Sequence, residues 1–211
     1  MTVSPTLQPP VSTERSAPPR RGPAKLRFDV DMFVRFCRAE LPPDARVELI
    51  DGVIYQMSPT SPEHNGPSIS LTRLLVQRLG DRADVLPSSS ILLDHWSMPQ
   101  PDFVVLARPD DPTEYHKRHV EPADCLLIVE VSRSSLRFDR GVKARAYARA
   151  GVPEYWIVAV DEGVIEVHRE PGADGKGYVS VVRHGRGEAV SPGAFAEVRI
   201  GVEEVLGPTR G

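Results

Sequence analysis

Apolar residues recur along this chain at two spacings, and the switches between them mark its elements. Phe28, Met32, Phe33, Phe36 and Cys37 in FDVDMFVRFCRAEL fall at helical spacing, and Pro42-Pro43 stops the helix. ARVELIDGVIYQM reads as two short strands around Asp51-Gly52, a dipeptide favoured in tight turns. A second helix is predicted over about residues 62–79, with start signals in SPTSPEHNG and a stripe of Ile69, Leu71, Leu74, Leu75 and Leu79. Short strands are predicted around Val85, 91–93 and 103–106, and the mixed segment 108–123 reads as a loop.

DCLLIVEV is apolar on both faces and reads as a central strand covered on both sides. The basic helix RGVKARAYARAG follows, ending at Gly151 with Pro153 close behind. EYWIVAV and VIEVHRE are strands joined by Asp161-Glu162-Gly163, YVSVVR is a candidate third, and the pattern weakens from Ser191 onward. This order predicts an α/β domain with a mixed central sheet flanked by helices.

The 211 residues are 40% hydrophobic and 26% charged, enough for one domain with a real core. Residues 1–24, rich in Pro, Ser and Thr, are expected to be a disordered tail, with the folded domain over 25–207. No apolar run approaches the roughly 20 residues that span a bilayer. The N-terminus also lacks the apolar stretch of a signal peptide, so a cytoplasmic protein that does not meet membranes is expected. Cys37 and Cys125 lie in apolar contexts without CxxC spacing and are expected to be reduced, buried thiols.

The net charge of −3 argues against a protein that coats nucleic acid non-specifically. Its distribution is uneven. Between residues 133 and 149, Arg133, Arg137, Arg140, Lys143, Arg145 and Arg149 face the single acid Asp139. Such an excess can serve a polyanion, or it can be a solvated helix face.

The candidate chemistry begins with two acids at the ends of apolar runs. Asp102 opens PDFVVL and Glu130 ends CLLIVE. A carboxylate in a covered strand costs several kcal/mol unless a cation or a set of donors meets it. An arginine salt bridge would satisfy Glu130, and Asp102 alone could be a turn residue. Together they suit a phosphodiester hydrolase, because a hard divalent ion held by one or two carboxylates can neutralise a phosphate and acidify a water. Lys143, the only lysine between Lys117 and Lys176, is the candidate fixed positive charge. Tyr147 lies one helical turn beyond it and can share its face, where its hydroxyl could orient Lys143 or touch a phosphate of the substrate; packing in the core is the other reading. Asp139 is expected to cap the basic helix or pair with an arginine.

The segments ELIDGVIYQMSPTSPEH, PDFVVL, LLIVEVSRSS and RFDRGVKARAYARAGVPEYWIV resemble the Uma-type family of restriction endonucleases, within the PD-(D/E)XK nuclease superfamily. The resemblance covers about residues 28–205, most specifically from Glu130 to Trp156. It implies a restriction-endonuclease-like core with acids and a lysine clustered around Mg²⁺, or Mn²⁺ in its place. Carried onto this chain, Asp102 matches the PD acid, Glu130 the acid of (D/E)XK, and Glu48 the additional upstream glutamate. His64 matches a recurring family position that could meet a phosphate or a water, though a surface histidine is the plainer reading. The pattern departs at one place. Ser132 stands where the lysine of (D/E)XK belongs, and Lys143 fits the displaced position in DRxxKxxxY.

The expected function is therefore Mg²⁺-dependent endonucleolytic hydrolysis of DNA. In that reading Glu130 and Asp102 bind the ion, Glu48 assists, Lys143 acts on the attacking water, and Arg140 and Arg145 draw in the DNA backbone. The Ser132 departure motivates an alternative, a nuclease-fold protein without turnover that binds DNA or serves assembly. Whether the Lys143 ammonium lies near both acids separates the two. Cutting both strands with this fold commonly takes two symmetry-related sites, so a homodimer is compatible with the expected function.

Overall fold

The computed structural model describes residues 25–42, 44–59, 61–111 and 113–208. The expected N-terminal tail lies outside them. Helix α1 (Val30–Glu40) starts at Asp29, whose carboxylate accepts the Met32 N–H at 2.7 Å and so satisfies one of the free donors of the first turn. Strands β1 (Val47–Ile50) and β2 (Val53–Gln56) form the expected hairpin. Its turn residues Asp51 and Gly52 have φ of 54° and 76°, the left-handed values of a tight hairpin turn. A Cβ at Gly52 would also stand 2.8 Å from Cβ of Arg27, so this position requires glycine.

Helix α2 (Pro62–Leu79) has the predicted bounds and buries Leu71, Leu74, Leu75 and Leu79. Ile69, read as part of that stripe, is exposed, because positions two apart on a helix lie about 200° apart and Leu71 faces the core. Then follow β3 (Ala83–Pro87), β4 (Phe103–Ala107) and β5 (Cys125–Ser132). The predicted strand at 91–93 does not form: Ile91 makes a single bridge to Val120, and its apolar side chains pack without a ladder. The 108–123 loop includes a 3₁₀ turn over Glu114–His116.

The basic helix begins earlier than read, at α3 (Leu136–Phe138). It passes through a π-helical stretch, Asp139–Lys143, into α4 (Ala144–Arg149). Strands β6 (Glu154–Ala159), β7 (Val164–Pro171) and β8 (Tyr178–His184) follow as predicted. The weakly patterned C-terminal part adds the short pair β9 (Ala189–Val190) and β10 (Ile200–Gly201) and helix α5 (Val202–Leu206).

The main sheet has the order β3-β4-β5-β6-β7-β8, antiparallel except for the parallel pair β5–β6. Strand alternation divides its side chains between two cores. Leu127, Val129 and Val131 of β5 face α2 and α5, while Ile128 faces α4 and Ile50 of the hairpin. Glu130 and Ser132, two and four residues after Ile128, therefore face α4. Both cysteines are free; Cys125 is buried and Cys37 only half-buried. No helix among the described residues is long and apolar enough to cross a membrane.

Candidate active site

The same alternation gathers the acids. Phe103 pairs with Val129, so Asp102, one step further, stands beside Glu130 on the neighbouring strand. Asp102 Oδ2 accepts the Val131 N–H at 2.8 Å and meets Nε2 of His64, from the first turn of α2, at 3.1 Å. Glu48 arrives from β1, where Leu49 points away into a separate cluster and Ile50 into the core shared with α4.

The helix facing these strands supplies Asp139, Lys143 and Tyr147, four residues apart and thus on one face. The Lys143 ammonium donates to Glu130 Oε1 at 2.8 Å and to Glu48 Oε1 at 3.1 Å. Tyr147 donates its hydroxyl to the same Glu130 oxygen at 2.8 Å. The π-helical turn that carries Lys143 inward is a feature common at functional sites. Ser132 fills the place of the usual lysine with a short side chain whose hydroxyl donates to Asp139 Oδ2 at 2.6 Å. That bond ties the helix to β5. Asp139 is consequently not the expected cap or arginine partner but a buried member of the cluster.

Burial here is severe. Side-chain exposure is 2% for Lys143, 3% for Glu48 and 5% for Glu130, against 13% for Asp102. Burial alone would drive the Lys143 amine down, but the negative charges of Glu130, Glu48 and Asp139 outweigh it and hold the ammonium charged. A single ammonium cannot neutralise all the acids around it. Burial pushes the Glu130, Glu48 and Asp139 carboxyls upward, and Lys143 only partly opposes this. The cluster is short of positive charge.

The open oxygens match that shortage. Glu48 Oε2 and Asp139 Oδ1 are buried with no hydrogen-bond partner among the described residues. The hydrogen bonds at Asp102 and Glu130 all fall on one oxygen of each carboxylate, Oδ2 and Oε1. No three His, Cys, Asp or Glu side chains among the described residues make a ready metal-holding group. A hard cation such as Mg²⁺ does not need one, since it takes one or two carboxylates and leaves its other positions to water and substrate. The donor set fits such an ion.

A cavity of about 480 Å³ opens over the cluster, lined by Glu48, His64, Asp102, Glu130, Asp139 and Lys143. Arg46, Arg133, Gln56 and Gln100 also line it, and sequence reasoning had not placed them there. Of these, Arg133 was marked only as the first residue of the basic run, and nothing in the local pattern of the other three marks them. Asp139, by contrast, was legible from its spacing with Lys143 and Tyr147.

The structure does not bring Arg140 or Arg145 to this cavity. Arg145 is exposed on α4, and Arg140 binds Glu162 and Glu166. Burial works against the Glu166 charge, but His168 and Arg140 prevail and lower its pKa to about 2. Arg133 binds Glu63 and Asp161, and Arg149 binds Asp51. Much of the basic run is thus neutralised by acids from other elements.

Tyr147→Phe removes one of the two donors to Glu130 Oε1 and leaves the packing in place. The expected cost is about 1.5–3 kcal/mol in urea denaturation, since a hydrogen bond to a charged group is at stake. An unchanged unfolding midpoint would show that the bond contributes nothing.

A family model, Uma2, described as "Putative restriction endonuclease", matches residues 30–203. The chain belongs to the Uma2 family. Among solved structures, this Uma2 chain resembles a protein from Anabaena variabilis ATCC 29413 described as a putative nuclease belonging to DUF820. The TM-score is 0.67 and the identity 16%, over 85% of this chain and 97% of that one. At that identity the likeness shows the shared fold. The type IIG restriction endonuclease BpuSI aligns over 51% of this chain and 11% of its own, with 21% identity and a TM-score of 0.32, too low to carry an argument. No curated protein matches the chain.

Proposed function

We propose that this Uma2 protein is an endonuclease that hydrolyses phosphodiester bonds of DNA with the help of Mg²⁺ or Mn²⁺. The observation that carries this reading is the position of Lys143. Its ammonium bridges Glu130 and Glu48 beneath the same cavity that Asp102 lines. A lysine turned to solvent would have favoured a DNA-binding or assembly protein without turnover. Of the two acids Asp102 and Glu130, Lys143 touches Glu130, and its second contact is Glu48 rather than Asp102. This inward position supports catalysis, and family membership agrees with it.

Asp102 and Glu130 would hold the ion, with Glu48 assisting. When bound, the ion neutralises charge on the phosphate and lowers the pKa of a water. Lys143 places a fixed positive charge beside the acids, where it orients the attacking water and stabilises charge that develops on the phosphate. Tyr147 and Lys143 together fix the Glu130 carboxylate, and His64 with the Val131 N–H fixes Asp102. The water oxygen adds to phosphorus while the bond to the leaving sugar oxygen breaks. One water proton goes to solvent and one finally to that oxygen.

The test is cleavage of DNA by purified protein in Mg²⁺ or Mn²⁺, with no cutting in EDTA. Mn²⁺ is further expected to raise the melting temperature of the wild-type protein, because it binds only the folded site. Asp102→Asn should lose that shift and lower cleavage by about two orders of magnitude. A full Mn²⁺ shift in this variant would remove Asp102 from the ion's ligands.

A further inference from the structure

We propose that the strand to be cut enters this site unpaired, as single-stranded or locally melted DNA with one nucleotide filling the cavity. The inference rests on the metal-dependent nuclease reading and adds the substrate's form to it.

The first argument is depth. The acids that would hold the ion have side-chain exposures of 5% for Glu130, 3% for Glu48 and 13% for Asp102, and Lys143 beside them 2%. A phosphate would have to come close to these carboxylates to share an ion with them. The phosphate must therefore descend into the cavity. At about 480 Å³ the cavity has the size of a small-molecule site. A phosphate of an intact duplex is backed by its own paired base and by the opposite strand, which cannot follow it down. A nucleotide freed from its partner can.

The second argument is the chemistry of the walls. Tyr55 and Phe138 both line the cavity, their ring centroids 4.8 Å apart, and give it an aromatic wall against which a base can lie. Gln56 and Gln100 add amides of the kind that read base edges. Arg46 brings positive charge for a flanking phosphate. This combination of aromatic face, amides and a cation is the one that single strands use.

The third argument concerns charge outside the cavity. Duplex binding draws its affinity from cations free to replace counterions along the backbone. Here the chain is net acidic, and Arg140 and Arg149 of the basic run, which do not line the cavity, are each bound to acids of this same protein. A surface so neutralised favours a substrate gripped inside a cavity over one laid across the outside.

The experiment uses the full chain and one DNA sequence presented as single strand, as blunt duplex, and as duplex with a central unpaired stretch. An RNA single strand of the same sequence is the fourth arm. In Mn²⁺ the single strand and the unpaired stretch should be cut at least tenfold faster than the paired DNA. In EDTA, fluorescence anisotropy should show the single strand bound at least tenfold more tightly than the duplex. Tyr55→Leu should weaken single-strand binding about tenfold and Tyr55→Phe should not. Duplex cut or bound as well as the single strand overturns the inference and leaves the nuclease reading standing; preferred cutting of RNA overturns its DNA part. If no arm is cut, the nuclease reading fails, and the binding arms still decide whether the cavity takes an unpaired strand.

Discussion

Glu130→Ala is expected to make no detectable cut in any DNA that the wild-type protein cleaves, a loss on the order of 10²–10³ or more in single-turnover rate. Glu130 is the member on which the site converges. Its Oε1 receives both Lys143 and Tyr147, and it stands beside Asp102 across the β4–β5 ladder. Removing it takes away a proposed ion ligand and one anchor of the lysine together. The fold should survive, because Lys143 retains its bond to Glu48 and the desolvation cost of one buried carboxylate disappears with it. Glu130→Gln tests the same point with the shape conserved. Cleavage that persists at the wild-type rate in either variant would sink the assignment.

Lys143→Ala is expected to lose both activity and stability. Glu130, Glu48 and Asp139 would remain buried without the cation that faces them, and breaking a buried pair in this way costs about 3–5 kcal/mol. The loss should depend on pH in a defined direction. Burial already raises the Glu130 and Glu48 carboxyls above the ordinary glutamate range, and Lys143 is the main influence pulling them back. Without it the folded-state values rise further. The folded variant then binds more protons than its unfolded chain, so its stability is present at low pH and is lost as pH rises through the raised values. Urea denaturation should show the deficit against wild type widest near pH 8 and shrinking towards pH 5. A deficit that is the same at both would mean that cavity formation, not stranded charge, accounts for it. Lys143→Met, which fills the space without charge, should show the same pH trend.

Much of the architecture was legible in one sequence because local chemistry fixes it. The Asp51-Gly52 turn, the start of α2 at Pro62 and the two-faced apolar run of β5 each depend on neighbours close in the chain. The misreadings have a common origin. Residues 91–93 were apolar enough for a strand but found no ladder, and Ile69 fitted the stripe of α2 yet points to solvent. Apolar periodicity reports a tendency to be covered, while what is available to cover it depends on elements far along the chain.

By itself the sequence determined the elements, the alternation that turns Glu130 and Ser132 the same way, and the acids and lysine eligible for chemistry. Only the tertiary structure decided which of them meet. Glu48 and Lys143 come within 3.1 Å because a hairpin and a helix pack on one face of the sheet. Asp139 became part of the cluster because Ser132, short enough to admit the helix, receives it. Arg140, placed near DNA by charge alone, is held by Glu162 and Glu166. The physical reason is the same in each case: a buried charge needs a partner within a few ångströms to offset its lost hydration, and those distances are set by packing between distant segments.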